Sequence, residues 1–174
     1  RASDFIPQIY EKLKLTKEDF NRALFLIIGG LIKKAVISDY ISSNFVDRVF
    51  DAPNSYTSFE NLMASYGYAI QIYCDFSGYS DIAIGLALLM GFWLPDNFRT
   101  PYQSGSITEF WRRWHISLST WLRDYLYITL GGNRKGKIRT YFNLFMTMLL
   151  GGLWHGASWK FVGWGVLHGL ALVV

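Results

Sequence analysis

Apolar residues fill four long stretches of the chain, and polar stretches separate them. The first apolar stretch, 23–32, is interrupted by Lys33 and Lys34 and resumes at 35–37. Thr16 is a favourable N-cap before it, with acidic residues in the first turn. The pattern predicts a helix over about 19–38, which reaches roughly 30 Å, the thickness of a bilayer core.

Polar residues on both sides of this helix predict connecting segments. Residues 4–20 carry only scattered apolar positions, which is typical of a juxtamembrane loop or a surface helix. Residues 39–60 are polar and contain Pro53, so they predict a loop with a short helix.

The second apolar stretch, 62–94, is longer than the roughly 20 residues that one membrane span needs. It contains Asp75, Asp81 and several glycines. We therefore expect either two membrane segments or one segment broken near Ser77 and Gly78.

A third helix is predicted after the loop at 95–105. Ser106 and Glu109 fit a capping box, in which each side chain bonds the other residue's backbone N–H. The helix should run to about Leu130, where Gly131 and Gly132 stop it. Large side chains recur along it at steps of three and four and form one mainly aromatic face: Trp111, Trp114, Leu118, Trp121 and Tyr125.

The last part of the chain predicts two further membrane segments. Residues 132–139 form a short basic loop, which the positive-inside rule places in the cytosol. Apolar segments at 141–158 and 159–174 follow. The predicted fold class is all-α, a polytopic integral membrane helical protein, with 1–174 forming part of a domain that continues beyond both ends.

Composition supports a membrane protein and excludes several other classes. Hydrophobic residues make up 51% of the chain, aromatic residues 18% and charged residues only 17%, which is unusual for a soluble domain. The net charge of +4 is small and dispersed, so nucleic acid is not an expected partner. Cys74 is the single cysteine, which leaves no disulfide framework, and no metal site is expected.

His155 is the best catalytic candidate on physical grounds. It lies in an otherwise apolar span between glycines, where an ionisable side chain is costly and normally faces a protein interior. A neutral imidazole in a narrow, dry passage is suited to act as a general base in the acylation of an alcohol. A packing histidine that bonds a neighbouring carbonyl explains the same pattern.

Two other histidines have weaker claims to a chemical role. His115 lies among aromatic residues beside Arg112 and Arg113, which indicates either a polar site or a hydrogen-bonded residue in an interfacial aromatic belt. His168 is explained by a hydrogen bond between helices. Asp75 and Asp81 are expected to pair with Lys33, Lys34 or an arginine, or else to form part of a proton path.

Several long motifs follow one another in the second half of the chain. They are 73–81 (YCDFSGYSD), 96–102 (DNFRTPY), 109–127 (EFWRRWHISLSTWLRDYLY), 130–134 (LGGNR) and 151–159 (GGLWHGASW), with Trp164–Gly165 and His168–Gly169 after them. These motifs resemble one protein family, the membrane-bound O-acyltransferases (MBOAT), and in particular the branch that O-acetylates alginate or peptidoglycan. The resemblance covers roughly residues 62–174, and residues 1–61 fit loosely.

The resemblance implies a multi-pass enzyme of the bacterial inner membrane that transfers an acyl group, with acetyl the expected one. The donor would be a cytosolic thioester, acetyl-CoA or a carrier-protein thioester, acting as a substrate, with no bound cofactor. The acceptor would be hydroxyls of an extracytoplasmic polysaccharide such as alginate, reached directly or through a periplasmic acetyltransferase partner. Membrane lipids would surround the protein.

The resemblance also assigns site residues. The family's catalytic histidine falls on His155 and its second site on His115, with Trp114, Arg113 and Asp75 as supporting candidates. The alternative function is a proton-coupled transporter or flippase, which the intramembrane carboxylates and histidines would also suit. A non-catalytic scaffold leaves the glycine-flanked histidines unexplained.

The positions of His115 and His155 suggest a shared site. If the helices that contain them form an antiparallel hairpin, both histidines lie roughly 21–23 Å from the connecting loop and are level with each other. If instead the aromatic helix lies along the membrane interface, His115 would be at an entrance, away from the reaction centre.

Overall fold

The computed structural model describes residues 1–11 and 15–173, and every regular element in these residues is helical. Parts of the predictions above that concern residues 12–14 and 174 lie outside it. The all-α class is confirmed. The chain forms two compact units, Arg1–Asp96 and Asn97–Val174, and each is described by itself.

In its described residues, 1–11 and 15–96, the first unit has five α-helices with π-helical and 3₁₀ turns between some of them. The chain runs through α1 (Ala2–Tyr10), α2 (Lys17–Leu31), a π-helical segment (Ile32–Ser38), α3 (Asp39–Ile41), a second π-helical segment (Ser42–Val46), α4 (Asp47–Asp51), a 3₁₀ turn (Pro53–Ser55) and α5 (Ser58–Leu89).

The N-terminus of α2 is capped as expected. The Thr16 hydroxyl accepts from the Asp19 backbone N–H at 3.1 Å, and the Asp19 carboxylate accepts from the Thr16 backbone N–H at 3.1 Å. These bonds with Thr16 lower the pKa of the Asp19 carboxyl, since they favour its charged form. The predicted polar connector at 39–60 is wrong in its first half, because helical structure continues from α2 to Asp51. Val46 and Val49 in this continuation are fully buried, and this burial keeps the polar segment in place.

The predicted break in the second apolar stretch is also wrong, because α5 is one continuous helix of 32 residues. Gly78 lies inside it, where a Cβ would be 2.7 Å from the Gly30 carbonyl oxygen of α2. Gly85, two turns later, faces the Ala23 carbonyl oxygen in the same way, at 2.8 Å. The glycines of α5 thus permit close helix packing rather than a break.

Helix α1 is fixed to the segment that follows α5. Gln8 donates from Nε2 to the Trp93 carbonyl at 3.2 Å and accepts at Oε1 from the Trp93 N–H at 2.7 Å. The rings of Phe5 and Phe92 lie 5.1 Å apart. The surface-helix interpretation of this region is confirmed for Ala2–Tyr10.

Over residues 97–173, which the structure describes, the second unit contains four α-helices and two irregular helical turns. These are a 3₁₀ turn (Pro101–Gln103), α6 (Ile107–Arg113), α7 (Ile116–Leu122), a π-helical segment (Arg123–Tyr127), α8 (Lys137–His155) and α9 (Trp159–Ala171). The single helix predicted from Ser106 to Leu130 is therefore wrong: it breaks at Trp114 and His115 and ends in turns after Tyr127.

The cap of α6 is half of the expected capping box. The Ser106 hydroxyl accepts from the Glu109 backbone N–H at 3.1 Å. The Glu109 carboxylate accepts instead from the Gly105 N–H, at 2.9 Å, and from Arg113. These two bonds, the Gly105 bond first, hold the pKa of the Glu109 carboxyl below its ordinary value.

Helices α8 and α9 form a tight pair joined by the short segment 156–158. A Cβ on Gly165 would be 2.7 Å from the Met148 carbonyl oxygen, and one on Gly152 would overlap the Phe161 carbonyl oxygen. Gly169, one turn after Gly165, faces Phe145 at 2.9 Å. Small residues at such spacing let two backbones touch, as in packed membrane helices.

Among the described helices, only α5 is long and apolar enough to cross a membrane by length and composition. A buried core helix meets the same two conditions. The other predicted spans, at 19–38, 141–158 and 159–174, stay predictions.

Candidate functional site

His155 is the last residue of α8, at the point where the chain turns towards α9. Its imidazole lies 5.2 Å from the Trp164 ring in an edge contact and 6.1 Å from Phe161. The next residue is Gly156. A Cβ at this position would be 2.6 Å from the Phe161 ring, so the close approach of this ring requires a glycine. The rest of the imidazole is exposed in this chain, whereas the sequence predicted a narrow enclosure.

Aromatic contacts connect His155 to His168 and to α6. Trp164 touches both histidines, with its ring 4.6 Å from that of His168. Trp111 of α6 meets His168 at 5.1 Å and Trp164 at 5.5 Å, both edge to face. His168 therefore packs between two tryptophans, and the expected hydrogen bond between helices is replaced by ring contacts among the described residues.

His115 occupies the break between α6 and α7 in the left-handed backbone region, at φ +45° and ψ +55°. A side chain other than glycine adopts this region only when its surroundings compensate for the strain, and such residues are concentrated at functional sites. The imidazole is half-buried, and the left-handed backbone gives it a different direction from the one that a side chain would have at this position in a continuous helix. The aromatic periodicity of the sequence did not predict this break.

Asn97 is the residue that holds His115 in place. Its carbonyl accepts from the Ile116 N–H at 2.9 Å, so it bonds the first residue of α7. Its side-chain Oδ1 lies 3.2 Å from Nδ1 of His115 and also accepts from the backbone N–H and hydroxyl of Ser117. Asn97 was not singled out from the sequence.

The pKa of His115 is lowered by two causes, and His155 is the smaller of them. Burial, and to a lesser degree the proximity of His155, lowers the pKa of His115 to about 4. The break that contains His115 lies outside α5, the one helix among the described residues that is long and apolar enough to cross a membrane. At neutral pH, His115 is therefore an uncharged imidazole that can accept a proton.

The two supporting candidates beside His115 have mainly positioning contacts. Arg113 donates to the Glu109 carboxylate at 2.6 Å and to the Thr100 hydroxyl at 3.3 Å. The Trp114 ring packs edge-on against Phe98, with centroids 5.0 Å apart. Both residues connect α6 to the segment that precedes it.

Asp75 lies in the first unit, and its partner there is a lysine. Its carboxylate is 2.6 Å from Lys34 Nζ, which also reaches Asp39 at 2.8 Å. Asp81 pairs with Lys33 at 2.5 Å. The expectation that these carboxylates pair with Lys33 and Lys34 is confirmed, and the π-helical turn at Ile32–Ser38 carries both lysines.

Of the predicted site residues, the second unit contains His155, His115, Arg113 and Trp114, whereas Asp75 lies in the first unit. Sequence reasoning did not identify Asn97, Phe161 and Trp164 as site residues, although Asn97 and Trp164 lie in the motifs that carry the family resemblance. Asn97 is 18 positions from His115, so no helical or strand periodicity connects the two. Trp164 and Phe161 follow His155 by one to three helical turns, and their aromatic character was the available signal.

Comparison with known proteins identifies the class to which this fold and site belong. The model of the MBOAT, membrane-bound O-acyltransferase, family matches residues 2–174. The chain belongs to this family.

Three curated relatives illustrate the range of the family. The chain is 52% identical over 174 residues to the Pseudomonas putida protein named "Probable alginate O-acetylase AlgI", covering 100% of this chain and 35% of that protein. It is 46% identical over 174 residues to the Helicobacter pylori peptidoglycan O-acetyltransferase, covering 99% and 33%. It is 32% identical over 176 residues to the Bacillus subtilis teichoic acid D-alanyltransferase, covering 93% and 44%. The chain thus spans about a third of the length of the alginate and peptidoglycan relatives.

Proposed function

We propose that the protein is a membrane O-acyltransferase in which His155 is the general base and His115 a second site residue. The observation that carries this proposal is that one compact unit holds both histidines, and that His155 is the smaller of the two causes of the low pKa of His115. Family membership and the names of the relatives, all acyl transferases or acetylases, support it.

The chemistry follows from a neutral imidazole beside a thioester. His155 removes the proton of the acceptor hydroxyl as its oxygen attacks the thioester carbonyl carbon. The new C–O bond forms, the C–S bond breaks, and the departing thiolate takes the proton back from the imidazolium. His115 orients or polarises one of the reactants.

The relatives indicate which reactants to test. The acyl group is proposed to be acetyl, donated by a cytosolic acetyl-CoA or carrier-protein thioester. The acceptor is proposed to be the hydroxyls of an extracytoplasmic polysaccharide such as alginate, reached directly or through a periplasmic acetyltransferase partner. The named alginate and peptidoglycan relatives support acetyl and a cell-surface polymer, and the teichoic acid relative supports an acyl group in general.

The alternative of a proton-coupled transporter or flippase has lost part of its basis. It depended partly on Asp75 and Asp81 as proton carriers, and both carboxylates pair with lysines at 2.6 Å and 2.5 Å. Pairing with Lys33 and Lys34 explains both carboxylates without a proton path.

The deciding experiment measures acyl transfer from a radiolabelled thioester in membranes that contain the full-length protein. His155→Ala should lower the rate by about 10²–10⁴-fold, the usual loss on removal of a general base, while the protein still inserts normally. Wild-type acetylation of the polymer in this variant would exclude the catalytic role.

His168→Ala is the matched control, because His168 shares Trp164 with His155 through ring contacts. It should cost far less activity than His155→Ala. Equal losses would indicate that the aromatic cluster, rather than a base, is what the reaction requires.

The proposed location, the bacterial inner membrane in a multi-pass topology, has a separate test. Lys135 is exposed in the basic segment and should be cytosolic by the positive-inside rule. A cysteine at this position should resist impermeant thiol reagents in intact cells and react after permeabilisation. Ready labelling of intact cells would reverse the topology without affecting the assignment of His155.

A further inference from the structure

The segment that begins the second unit pairs with the break between α6 and α7. The Asn97 carbonyl accepts from the Ile116 N–H at 2.9 Å, and the Arg99 N–H donates to the Arg113 carbonyl, also at 2.9 Å. These two backbone bonds bracket His115 and place the Asn97 side chain beside its ring.

The backbone N–H of Ser117 determines which way the Asn97 side-chain amide is oriented. A backbone N–H can only donate, and that of Ser117 lies 3.1 Å from the atom at the Oδ1 position. The side-chain atom that faces this N–H is therefore the oxygen and not the NH₂ group. The same oxygen lies 3.2 Å from Nδ1 of His115.

The remaining proton assignment follows from the Ser117 hydroxyl. This hydroxyl lies 2.9 Å from Asn97 Oδ1 and 3.4 Å from His115 Nδ1, so it donates its proton to the nearer amide oxygen. If Nδ1 were unprotonated, its lone pair would then face the lone pairs of the amide oxygen, and the two atoms would repel each other. A protonated Nδ1 instead donates to this oxygen.

We infer that Asn97 is a positioning residue that holds His115 in the Nδ1–H tautomer, so that the neutral ring carries its lone pair on Nε2. The inference deepens the proposed acyl transfer and rests on it for its functional consequence. A hydrogen bond to one ring nitrogen commonly sets the role of the other in this way.

The consequence is a choice between the two roles left open for His115. Nε2 with a lone pair accepts a hydrogen bond, and in the neutral ring it has no proton to donate. His115 is thus suited to orient the hydroxyl of an acceptor and unsuited to polarise a thioester carbonyl. The low pKa of His115 is consistent with a neutral ring.

The tautomer is measured by ¹⁵N NMR on the full-length protein labelled at histidine nitrogens in detergent micelles. Loss of signals in His115→Gln assigns the two resonances of this ring. We expect Nδ1 to show the shift of a protonated nitrogen and Nε2 that of an unprotonated one. The reverse pattern in the wild-type protein would overturn the inference, and this outcome needs no Asn97 variant to fold.

Two substitutions test the effect on catalysis. Asn97→Leu removes the acceptor oxygen and should lower kcat by about 10–100-fold with little change in KM, as for other residues that orient a reactive imidazole. Asn97→Asp keeps an acceptor oxygen and should retain the Nδ1–H tautomer and most of the activity. Its added carboxylate should also raise the pH at which His115 titrates.

Asn133→Leu is the matched control, because this asparagine is exposed in the basic segment of the same unit. It should leave both the tautomer and kcat unchanged. Equal losses in Asn97→Leu and Asn97→Asp, with the wild-type tautomer kept in both, would mean that Asn97 serves only to fold the loop. If the proposed acyl transfer itself fails, the NMR result still decides the tautomer.

Discussion

Both units of the chain pack two helices through glycines, but their ionisable side chains have different neighbours. In the first unit, Lys33 and Lys34 extend from a π-helical turn to carboxylates of α5. In the second unit, His155 and His168 lie against the rings of tryptophans. The same type of helix contact is thus accompanied by ion pairs in the first unit and by contacts between histidine and tryptophan rings in the second.

The difference indicates which charged groups hold the fold and which are available for chemistry. An ion pair fixes the protonation state of both partners, which suits a structural role. An imidazole against aromatic rings has no charged partner of this kind, and in its neutral form it can accept a proton. The catalytic candidates are therefore expected in the second unit, and the first unit should tolerate changes that preserve its charge balance.

The largest effect is expected from a methyl group placed between α8 and α9. A Cβ on Gly152 would overlap the Phe161 carbonyl oxygen, so Gly152→Ala must separate the helices next to His155. A displacement of ~1 Å at a catalytic group can cost about 10²-fold in rate. We expect a loss of that order in acyl transfer.

Gly163→Ala is the control for this change, since a Cβ at Gly163 meets nothing within 4 Å in this chain. It should leave the transfer rate near that of the wild type. An active Gly152→Ala protein would show that the close approach of α8 and α9 does not position His155.

The corresponding change in the first unit should affect stability more than rate. A Cβ on Gly30 would be 2.6 Å from the Gly78 carbonyl oxygen, a backbone atom that cannot move alone. Overpacking of this kind costs about 1–3 kcal/mol. Gly30→Ala should lower the Tm of the protein in detergent by several degrees while the surviving protein keeps its kcat.

The neighbouring Gly29 provides the control, because a Cβ there meets nothing within 4 Å. Gly29→Ala should leave Tm unchanged or raise it slightly, since alanine is the better helix former. A kcat loss in Gly30→Ala as large as that in Gly152→Ala would remove the distinction between the two units.

A smaller effect is expected at the Lys33–Asp81 pair. The two side chains are 31% and 24% exposed, so their attraction is partly screened by solvent. Lys33→Met and Asp81→Leu should each destabilise the protein, and the double variant should recover about 0.5–1 kcal/mol of the summed loss in a double-mutant cycle. Strict additivity, or a kcat that depends on Asp81 alone, would favour the proton path over the pair.

The sequence predicted local features better than features that depend on distant partners. The Thr16 cap and the pairing of Asp81 with Lys33 follow from residue type and the cost of an isolated charge. The continuity of α5 did not follow, because Gly78 signals a break unless Gly30 is known to lie against it.

The candidate site shows the same limit. His155 was predicted as a catalytic residue because an ionisable residue is conspicuous in an apolar segment, and that role stays a prediction. The break of the helix at His115 was not predicted, because the aromatic periodicity continues on both sides of it. The bonds that bracket the break come from Asn97 and Arg99, which lie in a loop. The depth of His115 counted along one continuous helix therefore does not apply to this chain.

The smallest expected effect is the most direct test of whether the second unit forms one site. The pKa of His115, about 4, is lowered mainly by burial and secondarily by His155. In His155→Gln, the second cause is removed, so the titration midpoint of His115 should rise by a fraction of a pH unit and stay below the ordinary value near 6.5. His168→Gln should leave the midpoint unchanged, because His168 is not among the causes of the shift.

The measurement is a ¹⁵N NMR titration of His115 in the full-length protein. The downward direction of the pKa shift also determines how protein stability depends on pH. A histidine with a depressed pKa binds fewer protons in the folded state than in the unfolded state. Its contribution to stability is therefore present above the unfolded pKa, near 6.5, and is lost as the pH falls towards 4. An identical midpoint in wild type and His155→Gln would mean that the two imidazoles do not sense each other. His115 would then belong at an entrance, and His155 would act alone.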